Sequence, residues 1–227
     1  MRENEIMKKL FLILCLASIS LPSCAEIVAG NSLVSGFGGG MVPLQSSQIK
    51  VEGESLDWGD GGSFLGLSYF VFPNPYLGIG LSVSGGGFQD STQEQWAGPG
   101  TGIRNEYTTA MLNLDVMAAG RINFNPGSNL RVYLPFGAGL TRTRGEYKQT
   151  EYFLDMRSYE EKHRGYSSSL GWYAGLGVEL DVEGLVCGVE LRYQAFDFDK
   201  ANFGVPGYSG IEHYSYLSFL LNIGYRF

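Results

Sequence analysis

Hydrophobic and polar residues alternate with a period of two through most of the chain beyond residue 32. The last fifteen residues show this most cleanly. Phe227, Tyr225, Ile223, Leu221, Phe219 and Leu217 share one parity; Arg226, Gly224, Asn222, Leu220, Ser218 and Tyr216 lie between them. One face is apolar and ends in an aromatic, and the other is mostly small or polar, which is a strand signal. Seven further stretches carry the same signal, at about 33–41, 63–72, 76–84, 107–122, 130–143, 166–181 and 185–196. The third sets Leu77, Ile79, Leu81 and Val83 against Gly78, Gly80, Ser82 and Ser84.

The predicted connections alternate in length. Segments 43–61, 85–104, 145–163 and 197–210 are long; Phe72-Pro73-Asn74-Pro75, Asn125-Pro126-Gly127-Ser128 and Val182-Glu183-Gly184 are tight turns. Eight strands joined in this way read as an all-β, eight-stranded antiparallel up-and-down transmembrane β-barrel with short turns at one end and four long outer loops at the other. Each strand is about the 9–11 residues that a tilted spanning strand needs. No apolar run beyond residue 25 reaches helix-spanning length, so any membrane crossing is by strands.

Lysine decides which face looks out. Lys50, Lys148, Lys162 and Lys200 all fall in predicted long connections. A soluble barrel would use Lys freely on its water-facing strand positions, so the apolar face is expected to meet lipid and the polar face to line the lumen. The inward charges are then Asp115, Glu179, Asp181 and Glu190 beside Arg121, Arg131, Arg192 and Arg226. Buried charges persist when paired, and eight strands enclose little more than their own side chains. The expectation is a lumen filled by an ion-pair network. A proton or small-solute channel is the alternative, kept open by Gly175, Gly177 and Gly188. Trp172 and Tyr193 at one height, and Tyr69, Tyr225 and Phe227 at the other, fit two interfacial aromatic girdles.

Composition agrees. Gly supplies 33 of 227 residues, roughly twice the usual share, and charged residues make up only 17%. At the N-terminus, Lys8 and Lys9 precede an apolar run from Leu10 to Leu21, and Ser23-Cys24-Ala25 supplies small residues for cleavage. The reading is a signal peptide over residues 1–25 and a barrel domain over 26–227, with Met7 as an alternative start to Met1. Lipidation at Cys24 is the alternative to cleavage after Ala25. Loss of residues 1–25 leaves 13 basic against 21 acidic residues, a net charge of −8. That argues against nucleic-acid binding, which needs a basic footprint. Cys187 is then the single cysteine, so no intrachain disulfide forms.

Candidate chemistry is sparse, and no catalytic, cofactor or metal residues are assigned. His163 sits among Glu160, Glu161, Lys162 and Arg164 and reads as a solvated charge cluster. Asp57-Trp58-Gly59-Asp60 and Asp197-Phe198-Asp199 lack the full oxygen spacing of a calcium loop. The glycine runs at 38–40 and 85–87 precede no helix and read as barrel wall, not phosphate cradles. Trp58, Trp96, Phe153 and Phe203 are loop aromatics suited to binding.

The strand pattern, the loop alternation, the signal and the terminal Tyr225-Arg226-Phe227 together resemble the small bacterial outer-membrane barrels of the outer membrane protein A and X type. The resemblance implies a monomer in the cell outer membrane, in contact with lipid and lipopolysaccharide. It implies a C-terminal strand read by the barrel assembly machinery. It also implies a structural or surface-interaction role through the outer loops, with a surface ligand there and no catalytic turnover or cofactor. A narrower likeness concerns His213-Tyr214-Ser215, which resembles the His-x-Ser element of the lipid A deacylases. That family places its acid downstream of the Ser, where this chain has ended, and Glu212 points to the other face.

Overall fold

The computed structural model describes residues 27, 29–44, 48–51, 54–57, 61–96, 103–154, 156–199 and 211–227. Ten strands are present: β1 (Ser32–Pro43), β2 (Gln48–Val51), β3 (Glu54–Asp57), β4 (Gly62–Asn74), β5 (Leu77–Trp96), β6 (Ile103–Asn123), β7 (Leu130–Phe153), β8 (Met156–Val182), β9 (Leu185–Asp199) and β10 (Ile211–Arg226). Eight of them close into an antiparallel barrel in the order β1-β10-β9-β8-β7-β6-β5-β4, and β2 pairs with β3 as a separate two-stranded ribbon. The first barrel strand meets the last through a continuous register from Leu33–Arg226 to Pro43–Tyr216. Closure leaves no unpaired edge, the condition for crossing a bilayer as strands.

Short turns follow from local chemistry. The Asn74 side-chain oxygen accepts from the backbone N–H groups of Tyr76 and Leu77 at 2.9 and 3.0 Å. Asn125 accepts from Val132 N–H at 2.8 Å. Between β8 and β9, Glu183 and Gly184 have φ of 53° and 88°, the two-residue hairpin geometry that matches strand twist. All three turns, Ile27 and Phe227 lie at one end of the barrel. There Ile27 is fully buried, its N–H donating to the Pro126 carbonyl at 3.2 Å.

At the opposite end the structure corrects the expected loops. Within 85–104 and 145–163, residues 85–96, 103–104, 145–153 and 156–163 are not loop but strand. β5 and β6 stay paired out to Trp96–Arg104, with a register shift between Phe88 and Ser91, and β7 and β8 out to Phe153–Met156, with one between Glu151 and Tyr152. The 43–61 segment carries the β2–β3 ribbon. The polar stretches hid their period of two because both faces are polar once a strand has left the membrane. Lys148 and Lys162, expected in connections, therefore stand on β7 and β8 as cross-strand partners; Lys50 is on β2, and Lys200 lies outside the described residues.

The outward face is apolar over a broad band, with Leu65, Leu81, Leu114, Leu140, Leu170, Leu176, Leu221 and Ile223 all more than half exposed. Tyr69, Tyr225 and Phe227 are exposed at the turn end, while Trp172 and Tyr193 pack tilted against each other, ring centroids 5.2 Å apart, toward the other. Cys187 is exposed.

Candidate functional site

Each inward charge named from sequence is buried in the lumen. Near the turn end, Glu179 lies 2.5 Å from Arg121 and 3.0 Å from Arg226, with Arg131 at 3.5 Å. Asp181 takes Arg131 at 2.7 Å and also bonds Arg226. Three guanidinium groups thus surround two carboxylates, and Arg121 also stacks 3.8 Å over the Tyr133 ring. One step further along the lumen, Arg192 donates to Glu190 at 2.6 Å. Glu190 also accepts from the Tyr133 hydroxyl at 3.1 Å, and that hydroxyl accepts from Asn222 at 2.8 Å. Asp115 is held by hydroxyls, Thr141 at 2.6 Å and Ser84 at 3.4 Å.

Among the described residues, several inward glycines face filled space. Gly177 faces Tyr133 across the sheet, and a Cβ there would collide with the tyrosine ring; Gly137 faces Tyr173 in the same way. Gly188 sits against the Glu179 side chain. A cavity lined by Tyr133, Tyr173, Glu179, Glu190 and Arg192 is about 20 Å³, room for about one water. Gly177 and Gly137 are seats for tyrosine rings, Gly188 lies against Glu179, and Gly175 lies against the Leu191 carbonyl and Pro135.

Above the polar half comes an aromatic plug that the sequence reading missed. Phe37, Phe64, Phe88, Tyr107, Tyr147, Phe196, Phe198, Tyr214 and Tyr216 are inward and at most 6% exposed. Phe88 meets Tyr214 edge-on at 5.3 Å and Phe196 at 5.6 Å from the same ring completes a cluster. Each buried ring contributes about 1.5–3 kcal/mol of transfer free energy, with edge contacts adding about 0.5–1.5. The signal was present as parity: these aromatics fall on the lumen-facing positions of their strands.

The long β7–β8 hairpin carries the charge chemistry outside the barrel. Glu146 accepts from Arg164 at 2.7 Å, bonds Lys162, and lies 3.4 Å from Arg144. Its partial burial pushes the carboxyl up, but Lys162 and Arg164 outweigh that and hold it below the ordinary glutamate value. Glu160 pairs with Arg157 and with Lys148 at 3.5 Å. His163, expected in a loop, is on β8, 2.8 Å from Glu161 and stacked on Tyr147. Glu161 in turn raises the Tyr159 hydroxyl by its charge. Among the loop aromatics, Phe153 is 47% exposed at the hairpin tip; the side chains of Trp58, Trp96 and Phe203 lie outside the described residues.

His213 is outward and exposed, as its parity requires, but Ser215 is only 7% exposed, at the base of a depression lined by Trp172, Tyr193 and Ala195. The acid sought downstream lies upstream. Asp197 is the register partner of His213 on β9, and its carboxylate bonds His213 Nδ1. No hydrogen bond joins His213 to Ser215. Asp197 and Asp199 flank the buried Phe198 on strand β9; the Trp58-Gly59-Asp60 stretch lies outside the described residues. Among the described residues, no three His, Cys, Asp or Glu side chains are placed to hold a metal ion.

Comparison with known proteins follows the same lines. The family model described as the outer membrane protein beta-barrel domain matches residues 11–227. Solved structures that resemble the chain include Ail, the attachment invasion locus protein of Yersinia pestis, at 18% identity over 88% of this chain and 100% of that one, with a TM-score of 0.38. Neisserial surface protein A is similar at 11% identity over 89% and 100%, with a TM-score of 0.41. The N-terminal barrel of Pseudomonas aeruginosa OprF is similar at 13% identity over 88% and 98%, with a TM-score of 0.38. No curated protein matches the chain. A closed eight-stranded wall with an apolar exterior, matched over nearly its whole length, makes this chain a member of the outer membrane protein β-barrel family, located in the cell outer membrane.

Proposed function

We propose that this protein is a sealed, non-catalytic barrel that acts through its outer hairpins, as a structural and surface-interaction element of the envelope. One observation carries this reading. β7 and β8 remain paired for thirteen residues of β7 beyond the Leu140–Leu170 pair, with one register shift between Glu151 and Tyr152, roughly 40 Å of strand at about 3.3 Å per residue. A chain that only needed to close a barrel has no use for that extension. The turns at the other end are short enough to serve closure alone. The barrel is monomeric in this reading, residues 1–25 are a cleaved leader, and the β10 strand ending in Phe227 is the segment presented to the assembly machinery.

Trypsin shaving of intact cells tests it. Cleavage within the Arg142–Arg164 stretch, with the barrel left in the membrane, is the expected result. Protection in intact cells with cleavage only after the envelope is permeabilised would turn the hairpins inward and end the reading.

Asp197 favours a second reading, an outward-facing acyl hydrolase. Its carboxylate fixes the His213 ring through Nδ1, which leaves Nε2 as a base for Ser215 two residues along the same face. Lipid A mass in cells expressing His213→Ala or Ser215→Ala decides it. An unchanged mass in both disposes of the hydrolase.

A further inference from the structure

One lumen charge is left out of the ion pairs. Arg121, Arg131 and Arg226 surround Glu179 and Asp181, and Arg192 pairs with Glu190. Asp115 is fully buried and forms no ion pair with a described residue. Arg121, the next cation along its own strand, stands six residues away, roughly 20 Å of strand. Arg192 acts on Asp115 through space, but that guanidinium donates to Glu190 at 2.6 Å and lies over the Phe37 and Tyr173 rings. A carboxylate taken out of water is costly unless it is paired or holds a cation.

What surrounds Asp115 is oxygen. Register sets Ser84 of β5, Asp115 of β6, Thr141 of β7 and Ser169 of β8 side by side, and the next inward rung toward the outer end carries Asn113 and Thr143. The Thr141 and Ser84 hydroxyls donate to the carboxylate at 2.6 and 3.4 Å, and a hydroxyl that donates still has lone pairs to offer. Asn113 and Thr143 are each 1% exposed. Neither end of the Asn113 amide has a hydrogen-bond partner in the protein, and the Thr143 hydroxyl has none; the Ser169 hydroxyl is buried and also has none. Buried polar groups are bonded to protein, water or an ion. Three such groups beside a lone carboxylate call for a common ligand.

We propose that this part of the lumen binds one alkali metal cation, held by the Asp115 carboxylate and by the oxygens of Asn113, Thr141 and Thr143. The donors are hard oxygens, which suit a hard cation. A single carboxylate among neutral oxygens matches a single positive charge, whereas calcium sites gather more carboxylate around the ion. The ion supplies Asp115 with the countercharge that the arginines do not. On β6 the site lies between Met111, packed in the aromatic plug, and Met117, packed in the apolar cluster below. Apolar side chains close it on both sides, so the ion is taken up as the barrel closes.

The test uses full-length barrel refolded and crystallised in rubidium chloride, with anomalous scattering measured at the rubidium edge. Wild type is expected to show a peak in contact with the Asp115 carboxylate, and Asp115→Asn, whose neutral amide needs no countercharge, is expected to lose it. If Asp115→Asn does not fold, Thr143→Val should lower the peak. A wild-type lumen without a peak at Asp115 overturns the proposal. So does a peak that is undiminished in the folded variant, or a water that bridges Asp115 to Arg192 in its place. A solution measurement reads the same site. The folded gel band of wild type should survive to a higher temperature after refolding in sodium chloride than in N-methylglucamine chloride of equal ionic strength, because a ligand bound only by the folded state stabilises it. Asp115→Asn should show no difference between the two salts. Equal temperatures for wild type overturn the proposal.

Discussion

Ser32 and Phe227 exchange both of their backbone hydrogen bonds. Ser32 N–H donates to the Phe227 carbonyl at 2.7 Å, and Phe227 N–H donates back at 2.9 Å. The chain's last residue therefore forms the first rung of the seam that closes the barrel. Ser32→Pro removes one of these donors and leaves the Phe227 carbonyl without its partner, at a cost of about 1–3 kcal/mol. Ser32→Ala removes only the hydroxyl contact to Tyr69 at 3.2 Å and should cost less than about 1 kcal/mol. The temperature at which the folded gel band disappears orders the two. Equal losses would place the effect in the hydroxyl and not in the seam.

The lumen charges are not equivalent. Glu179 faces three arginines, so Glu179→Gln leaves buried positive charge uncompensated and should cost about 3–5 kcal/mol. Asp115 is held by the Thr141 and Ser84 hydroxyls, and Asp115→Asn keeps much of that bonding. Urea unfolding in lipid vesicles should rank Glu179→Gln well below Asp115→Asn. The reverse order would mean that the cluster does not hold the lumen together.

Tyrosine and glycine fill the lumen as matched pairs. Gly177→Ala drives a methyl into the Tyr133 ring and should destabilise by about 1–3 kcal/mol, as overpacking does. Tyr133→Ala with Tyr173→Ala empties both seats. The double variant should admit ions in a bilayer recording where wild type does not. Silence in a folded double variant would show that the aromatic plug alone seals the barrel.

Glu146 gives the outer hairpin a pH dependence of known sign. Its folded value is lowered by Lys162 and Arg164 against the opposing effect of burial. A lowered carboxylate stabilises fully above its unfolded value, and that stabilisation is lost as pH falls through the folded one. Proteolysis of the β7–β8 hairpin should therefore stay slow through neutral and mildly acidic pH and rise only below the ordinary glutamate range. Glu146→Gln should abolish the dependence. A rise near neutral pH would point to another group.

Much of the barrel was legible because its wall has two unlike sides. Where one face meets lipid and the other a packed lumen, a period of two appears in plain sequence, as at Leu77–Ser84 and His213–Phe227. The pattern failed for the outer hairpins: between Gly145 and His163 polar and charged residues fall on both parities, so paired strand looked like loop. The aromatic plug was overlooked for a related reason. Phe198 fell in the expected 197–210 connection, and Tyr216, though placed on the lumen parity, sat on a face that reads as Gly, Ser and charges. The eight lumen charges were readable from parity, but their grouping into three arginines around Glu179 and Asp181 depends on register across β6, β7, β8 and β10. Asp197 was missed beside His213 because cross-strand partners sixteen residues apart leave no mark in local sequence.

Planar-bilayer recording of the wild-type protein tests the sealed wall most directly. Three arginines on two carboxylates, tyrosines seated on glycines and the aromatic plug predict no discrete conductance steps at any holding voltage, with the protein shown to be inserted. Reproducible single-channel steps from the wild-type barrel would contradict it.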